Sequence, residues 1–156
     1  MITCTFEKGQ KASLRHVVVH MIVEKDGALL LEKRTGDMLE TGKWGLPSGF
    51  LERDETASEG ALRELREETG WEGKVINLFR INTNPNRPKE DRQNIAIEFL
   101  IKPIRKIGEA DHESSRVEWI PIDKLLPLGE FAFDHGESIG HYLKYRKKPF
   151  PLPILD

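Results

Sequence analysis

Three glutamates stand close together in the middle of the chain: Glu64, Glu67 and Glu68. In a helix turning roughly 100° per residue, Glu68 falls at about 40° and Glu67 at about −60° from Glu64. They share one face, because residues three and four apart are helix neighbours. Ala61, Leu62 and Leu65 lie beside them at roughly 60° to 160°, so the acidic face borders the apolar one. Carboxylates gathered at the edge of a core repel one another and lose hydration. A divalent cation offsets both penalties, and hard carboxylate oxygens suit Mg2+, with Mn2+ as the alternative. The other reading of this spacing is a solvated face laced with ion pairs, for which Glu59, Arg63 and Glu67 supply an i, i+4 ladder. Glu64 and Glu68 have no basic residue three or four positions away to join it. Gly60 sits on the carboxylate side one turn before Glu64, where it costs about 1 kcal/mol against alanine. A glycine there points to something approaching the helix closely.

The elements that must position these side chains are legible around them. Residues 56–69 are mostly strong helix formers, Thr56 and Glu59 have capping-box spacing, and Gly70 stands at the stop. Residues 15–23 are β-branched and apolar, Asp26-Gly27 marks a tight turn, and residues 28–32 resume an apolar run, which is a hairpin signature. Residues 35–43 read as a loop and residues 44–50 as a turn-rich, non-helical stretch. Strands are expected at 75–81, 95–101 and 117–120, with polar loops at 82–94 and 108–115. A second helix is expected over 134–147, where Ile139, Tyr142 and Leu143 have helical spacing, followed by an extended tail. No repeat or linker interrupts the pattern, so one mixed α/β domain over 1–156 is the expectation.

Composition narrows the partners. The 156 residues carry 24 basic and 26 acidic side chains, a net charge of −2, where a general nucleic-acid binder needs a basic excess. Charged residues make up 32%, above the roughly 25% average, so the surplus has a local use. Cys4 is the single cysteine, which excludes a disulfide framework or cysteine-based zinc cluster. The apolar runs are too short to span a bilayer, and the first residues lack a charged-then-apolar leader pattern. A soluble, cytoplasmic protein without nucleic-acid or membrane partners is expected.

Gly49, five residues, Glu55, seven residues, then Arg63-Glu64-Leu65-Arg66-Glu67-Glu68-Thr69-Gly70-Trp71 has the spacing of the Nudix box over residues 49–71. The chain resembles a Nudix hydrolase. Two positions depart from the family pattern: Trp71 where an aliphatic residue is usual, and Ser48 where glycine commonly precedes Gly49. The resemblance extends to Leu29–Arg34, to 44–49 and to 117–125. It implies the Nudix α/β/α sandwich with a mixed β-sheet. It also implies cleavage of a nucleoside diphosphate linked to another moiety, by water attack on phosphorus. By the family pattern Glu64, Glu67 and Glu68 hold Mg2+, and Glu64 or Glu67 binds the catalytic water or acts as base. Arg63 holds the carboxylates by ion pairing, and the Ser48 carbonyl reaches the metal. Gly49 permits the tight loop, Glu55 ties loop to helix, and Gly70 completes the motif. A further acidic ligand from outside the box is common in the family. Glu98, on an otherwise apolar strand face, either serves there or pairs with an arginine. Glu113, in a polar loop, is the other candidate.

Residues 84–94 and Phe131-Ala132-Phe133-Asp134-His135 resemble the branch labelled ADP-ribose pyrophosphatase-like. Arg34, Arg87 and Arg92 are candidate phosphate contacts, since guanidinium forks match phosphate oxygens. For each the alternative is a surface or loop-tethering arginine, with Glu90 or Asp91 as partner. Trp44, Phe50 and Phe131 are candidates for stacking on the base. His16 and His20, roughly 13 Å apart on one strand face, are too distant for one metal, and His135 reads as structural. Two other functions stay open: hydrolysis of a nucleoside triphosphate or oxidised dNTP, and a non-catalytic nucleotide sensor. Members of the family are often dimers, so a homodimer is also open.

Overall fold

The computed structural model describes residues 2–37, 39–89, 93–109 and 114–156. Its strands are β1 (Ile2–Thr5), β2 (Lys11–Leu14), β3 (Val17–Lys25), β4 (Ala28–Arg34), β5 (Trp44–Gly45), β6 (Ser48–Phe50), β7 (Trp71–Asn82), β8 (Ile95–Lys106), β9 (Ser114–Pro121) and β10 (Ile154–Leu155). Helices α1 (Ala57–Thr69) and α2 (His135–Lys147) complete the set, with single 3-10 turns at Ile122–Lys124 and Leu128–Glu130. The main sheet runs β10-β7-β8-β3-β4-β5, with β6 beside β3 and β9 beside β4. It is mixed: β3 pairs with β8, and β10 with β7, in parallel, while the other pairs are antiparallel.

Strand alternation sorts the apolar residues onto two faces. Val19, Met21 and Val23 of β3, Leu30 of β4 and Phe99 and Ile101 of β8 pack with Ala61 and Leu65 of α1. Ile22, Leu29, Leu31, Leu46 and Phe79 pack instead with Ile139 of α2. A sheet with a helix on each face is an α/β/α sandwich. Because β3 is covered on both sides, Val18 to Val23 are buried without a break.

Helix α1 starts and stops where its sequence says it should. The Thr56 side chain accepts from the Glu59 N–H, the Glu59 carboxylate accepts from the Thr56 N–H, and Gly70 closes the helix at φ 70°. The first apolar hairpin forms at its expected turn, but β3 is shared between partners. Its first half, Val18 to His20, pairs with β6, and only Glu24 and Lys25 pair with β4. Between the two, the Met21 N–H donates to the Pro47 carbonyl at 3.0 Å. The sheet is therefore split at β3, and residues 44–50, expected as a turn-rich, non-helical stretch, cross the split as two short strands.

Other elements exceed their expected limits. Strands β7 and β8 are longer than expected, their extension paired from Trp71 to Lys106 and joined across by Glu72 and Arg105 at 2.9 Å. The tail contributes β10, paired with Arg80 and Ile81. The β1–β2 hairpin was not foreseen, and it forms its own two-stranded sheet with Ile2, Phe6 and Leu14 exposed. Among the described residues, no helix is long and apolar enough to cross a membrane.

Candidate active site

Strand β6 lies directly against α1, and at Gly49 the contact is too close for any side chain. A Cβ on Gly49 would stand 2.0 Å from the Glu64 carboxyl carbon and 2.1 and 2.3 Å from its oxygens. Gly49 is thus needed for space. Its backbone is ordinary strand, so the expected role in a tight turn is replaced by a cradle for Glu64. Gly60 has the same explanation: its Cβ would stand 2.7 Å from Glu55 Oε1 and 3.0 Å from Leu51 Cδ1. What approaches the helix at Gly60 is the preceding loop of this same chain.

Arg63 organises the surface around that cradle. Its Nε and Nη2 donate to the two Glu55 oxygens at 3.1 and 2.8 Å, and Nη2 also donates to the Phe50 carbonyl at 3.1 Å. Nη1 donates to Glu64 Oε1 and Glu67 Oε2, both at 2.9 Å. All five guanidinium N–H groups are engaged. The Arg63–Glu64 contact joins adjacent residues, which do not face each other on a helix. The long arginine stem reaches back around the helix to make it. Arginine hydrogen bonding to Glu55, against a smaller opposing effect of burial, lowers the Glu55 pKa from its usual value. Glu55 Oε1 also accepts from the Glu52 N–H at 2.8 Å, so loop and helix are joined at both ends of this carboxylate.

Glu68 is buried and faces Ser48, whose N–H donates to Glu68 Oε2 at 2.7 Å. Ser48, Gly49, Glu64, Glu67, Glu68, Glu55 and Arg63 therefore form one contiguous group. Its four carboxylates around one guanidinium carry a formal charge of −3. Every anionic donor is a hard carboxylate oxygen, and the Gly49 cradle seats one of them against the backbone. That donor set and its excess negative charge fit Mg2+ or Mn2+. Trp71 departs from the family pattern without touching this chemistry. It packs edge-on against Trp119 at 5.2 Å, with Lys25 Nζ 5.2 Å from its ring.

The structure does not bring Glu98 to this group. Glu98 points to the α2 face of the sheet, opposite α1, and is fully buried there. Ser138 Oγ donates to its Oε1 at 2.6 Å, and Arg80 Nη1 lies 3.6 Å away. The metal-ligand expectation is corrected: strand alternation predicted an unusual face, but not which helix covered it. Arg87 is corrected likewise. Its fork is buried and holds Asp134 with two 2.7 Å hydrogen bonds, so it ties the 82–94 loop to α2 and is not presented to a phosphate. Arg34 donates from Nε to the Leu39 carbonyl at 2.8 Å and stacks 5.0 Å from the Phe133 ring centroid. Arg92 and Glu113 lie outside the described residues. Phe131 is buried in the α2-side core, which removes it as a base-stacking residue. Phe50 is exposed, and Trp44 is half-buried.

Sequence reasoning missed the polar network beneath the α2 face. Asp134 stands at the α2 N-cap position yet does not cap the helix, because Arg87 and Asn82 take its oxygens. Burial alone would raise the Asp134 pKa, but the Arg87 fork outweighs it and holds the carboxyl well below its ordinary range. His135 is buried, its Nδ1 accepts from the Leu46 N–H at 2.9 Å, and its ring lies 4.6 Å from that of His20. Burial, with His20 and then Arg87 and Arg34 adding to it and Asp134 opposing, lowers its pKa well below the usual value. The imidazole is neutral, as an accepting Nδ1 requires. The available signal was Arg80 and Glu98, two charged residues on neighbouring strands with apolar surroundings.

A second group of acidic and histidine side chains capable of holding a metal ion is also present. Glu137, His141 and Asp156 bring ligand atoms within 4.8 Å of one another at the α2 and C-terminal edge. The Arg80 guanidinium already lies among them, 3.1 Å from Glu137 and 2.7 Å from Asp156.

The NUDIX domain profile matches residues 13–142. An ADP-ribose pyrophosphatase from Methanocaldococcus jannaschii is 34% identical over 130 residues, covering 83% of this chain and 74% of that protein. Phosphatase NudJ of Escherichia coli is 31% identical over 142 residues, covering 88% and 89% respectively. The crystal structure of a NUDIX hydrolase from Nitrosomonas europaea superposes with a TM-score of 0.81 at 25% identity, covering 97% of this chain and 84% of that one. With most of the chain matched and an acidic helix seated on a glycine-bearing strand, this protein belongs to the Nudix hydrolase family and is an enzyme.

Proposed function

We propose that this hydrolase cleaves the diphosphate of a nucleoside diphosphate linked to another moiety, with ADP-ribose or a related nucleotide sugar as substrate and Mg2+ as cation. The observation that carries the reading is the Glu64 carboxylate seated on Gly49 beside the Arg63 fork. The M. jannaschii relative supports the choice of ADP-ribose.

When bound, Mg2+ neutralises charge on the diphosphate oxygens and favours attack at phosphorus. The residues around it divide the remaining work. Glu68, buried and fixed by the Ser48 N–H, is assigned to holding the cation, together with Glu64 and the Ser48 carbonyl. The Glu67 side chain is 52% exposed, so it meets solvent water most directly. Glu67 or Glu64 orients that water and takes its proton, and Arg63 fixes both carboxylates through a single nitrogen. Arg34, at the end of β4 beside Phe133, remains a candidate substrate contact, as does Arg92, which lies outside the described residues.

The test is product identity across ADP-ribose, other nucleotide sugars, dinucleotides and triphosphates, each with Mg2+ and with Mn2+. AMP and ribose 5-phosphate from ADP-ribose are the expected products. Pyrophosphate released from a dNTP in preference would replace this reading with triphosphate hydrolysis. Absence of turnover on every compound would favour a ligand sensor.

A further inference from the structure

The strand entry that carries Ser48 and Gly49 is held from the opposite side of the sheet. Leu46 is fully buried, and its N–H donates to Nδ1 of His135 at the first turn of α2. The neighbouring Gly45 lies under the same ring: a Cβ there would stand 2.7 Å from His135 Nδ1. One residue earlier, the Trp44 carbonyl accepts from the Ala132 N–H at 2.9 Å. Trp44 and Leu46 are thus both fastened to the segment 131–135, with Gly45 packed beneath the ring between them. Two residues beyond Leu46, Ser48 bonds Glu68, and Gly49 seats Glu64.

We infer that His135 is a positioning residue for the cation site, acting through the Leu46 N–H to hold Ser48 and Gly49 at the correct height against α1. The inference rests on the proposed role of Glu64, Glu67 and Glu68. It assigns His135 no contact with substrate or cation. Its effect is transmitted along residues 46–49, where a shift of the Leu46 amide carries Ser48 with it. The neighbouring Asp134 anchors the same segment to Arg87 and Asn82, so the lever has a fixed base.

Two nearly isosteric substitutions separate the hydrogen bond from the bulk of the ring. Asn at 135 keeps an acceptor near the Nδ1 position, whereas Leu fills similar space without one. Mn2+ binding to the substrate-free protein, followed by paramagnetic resonance, reads the site without turnover. His135→Leu is expected to weaken Mn2+ binding about tenfold, with His135→Asn within about twofold of the parent. Gly45→Ala leaves His135 in place but drives its ring from the Leu46 N–H, and it is expected to match His135→Leu. That variant carries the test should His135→Leu not fold. The Mg2+ concentration for half-maximal hydrolysis should move in parallel, with KM for the nucleotide changing less. Equal Mn2+ affinity in the parent, His135→Leu and Gly45→Ala overturns the inference while leaving the site reading intact. A parent protein that binds no Mn2+, or binds it equally after Glu67→Gln and Glu68→Gln, overturns the site reading and the inference together.

Discussion

Gly49→Ala is the smallest perturbation that should disable this enzyme without unfolding it. The added carbon would lie 2.0 Å from the Glu64 carboxyl carbon. Non-bonded carbons settle at about 3.5 Å, so the carboxylate has to retreat by about 1.5 Å, away from Arg63 Nη1 and from the backbone of β6. Misplacing a reacting or ligating group by roughly 1 Å costs on the order of a hundredfold in rate, or about 2.7 kcal/mol of transition-state stabilisation. Gly49 has an ordinary strand backbone, so alanine introduces no strain of its own. Fewer unfolded conformations stabilise the variant by about 0.4–1 kcal/mol, which offsets loss of the Arg63–Glu64 pair, about 1 kcal/mol or less. The expected result is kcat/KM down about a hundredfold, Mn2+ affinity weakened, and Tm within a few degrees of the parent. Steady-state hydrolysis of ADP-ribose, Mn2+ titration and thermal unfolding on one preparation make the comparison. A Gly49→Ala protein with parental kcat/KM and Mn2+ affinity would refute the argument, because the Glu64 position would then not matter to the chemistry.

Three further outcomes follow from the α2 face. Asp134→Asn strips the buried Arg87 of its carboxylate and should cost about 3–5 kcal/mol in urea unfolding. Acid should destabilise the parent in two windows. Below the unfolded histidine pKa of about 6.5 the unfolded chain binds the proton that buried His135 excludes, so stability falls by up to about 1.4 kcal/mol per pH unit. Below the unfolded aspartate value of about 3.9 the depressed pKa of Asp134 acts in the same direction, and this stability is lost as pH falls toward its folded pKa. Unfolding curves across pH check the windows: Asp134→Asn should lose less stability through the lower one than the parent, the remainder coming from carboxylates such as Glu55, and a parent flat between pH 6.5 and 4 would contradict the upper. Glu98→Gln should lower stability by about 1–3 kcal/mol, through its buried hydrogen bond from Ser138 and its ion pair with Arg80, and leave Mn2+ affinity unchanged. A weakened Mn2+ affinity would return Glu98 to the metal site.

The local signals in the chain were faithful where a single element determines the outcome. Thr56, Glu59 and Gly70 delimit α1 by chemistry confined to its two ends, and the 3.6-residue period gathers Glu64, Glu67 and Glu68 whatever lies opposite. Positions that depend on two elements were harder to read. Period-2 alternation put Glu98 on a face with Ala96 and Leu100, but which helix covers that face is decided by β3, β8 and α2 together. Arg87 carries the same charge whether it meets a phosphate or Asp134, and the partner stands 47 residues away. Gly49 was identified by spacing, yet its need for space exists only once β6 lies against α1. His135 looked inert because its partner is a backbone N–H, which no side-chain pattern announces.

The proposed function makes Glu64, Glu67 and Glu68 the cation-dependent catalytic group of a phosphoanhydride hydrolase. Hydrolysis of ADP-ribose by Glu67→Gln and Glu68→Gln across a Mg2+ titration, with folding checked by circular dichroism, tests it most directly. Both variants should fold and release AMP and ribose 5-phosphate at least a hundredfold more slowly than the parent at saturating Mg2+. Full Mg2+-dependent hydrolysis by both variants would contradict it.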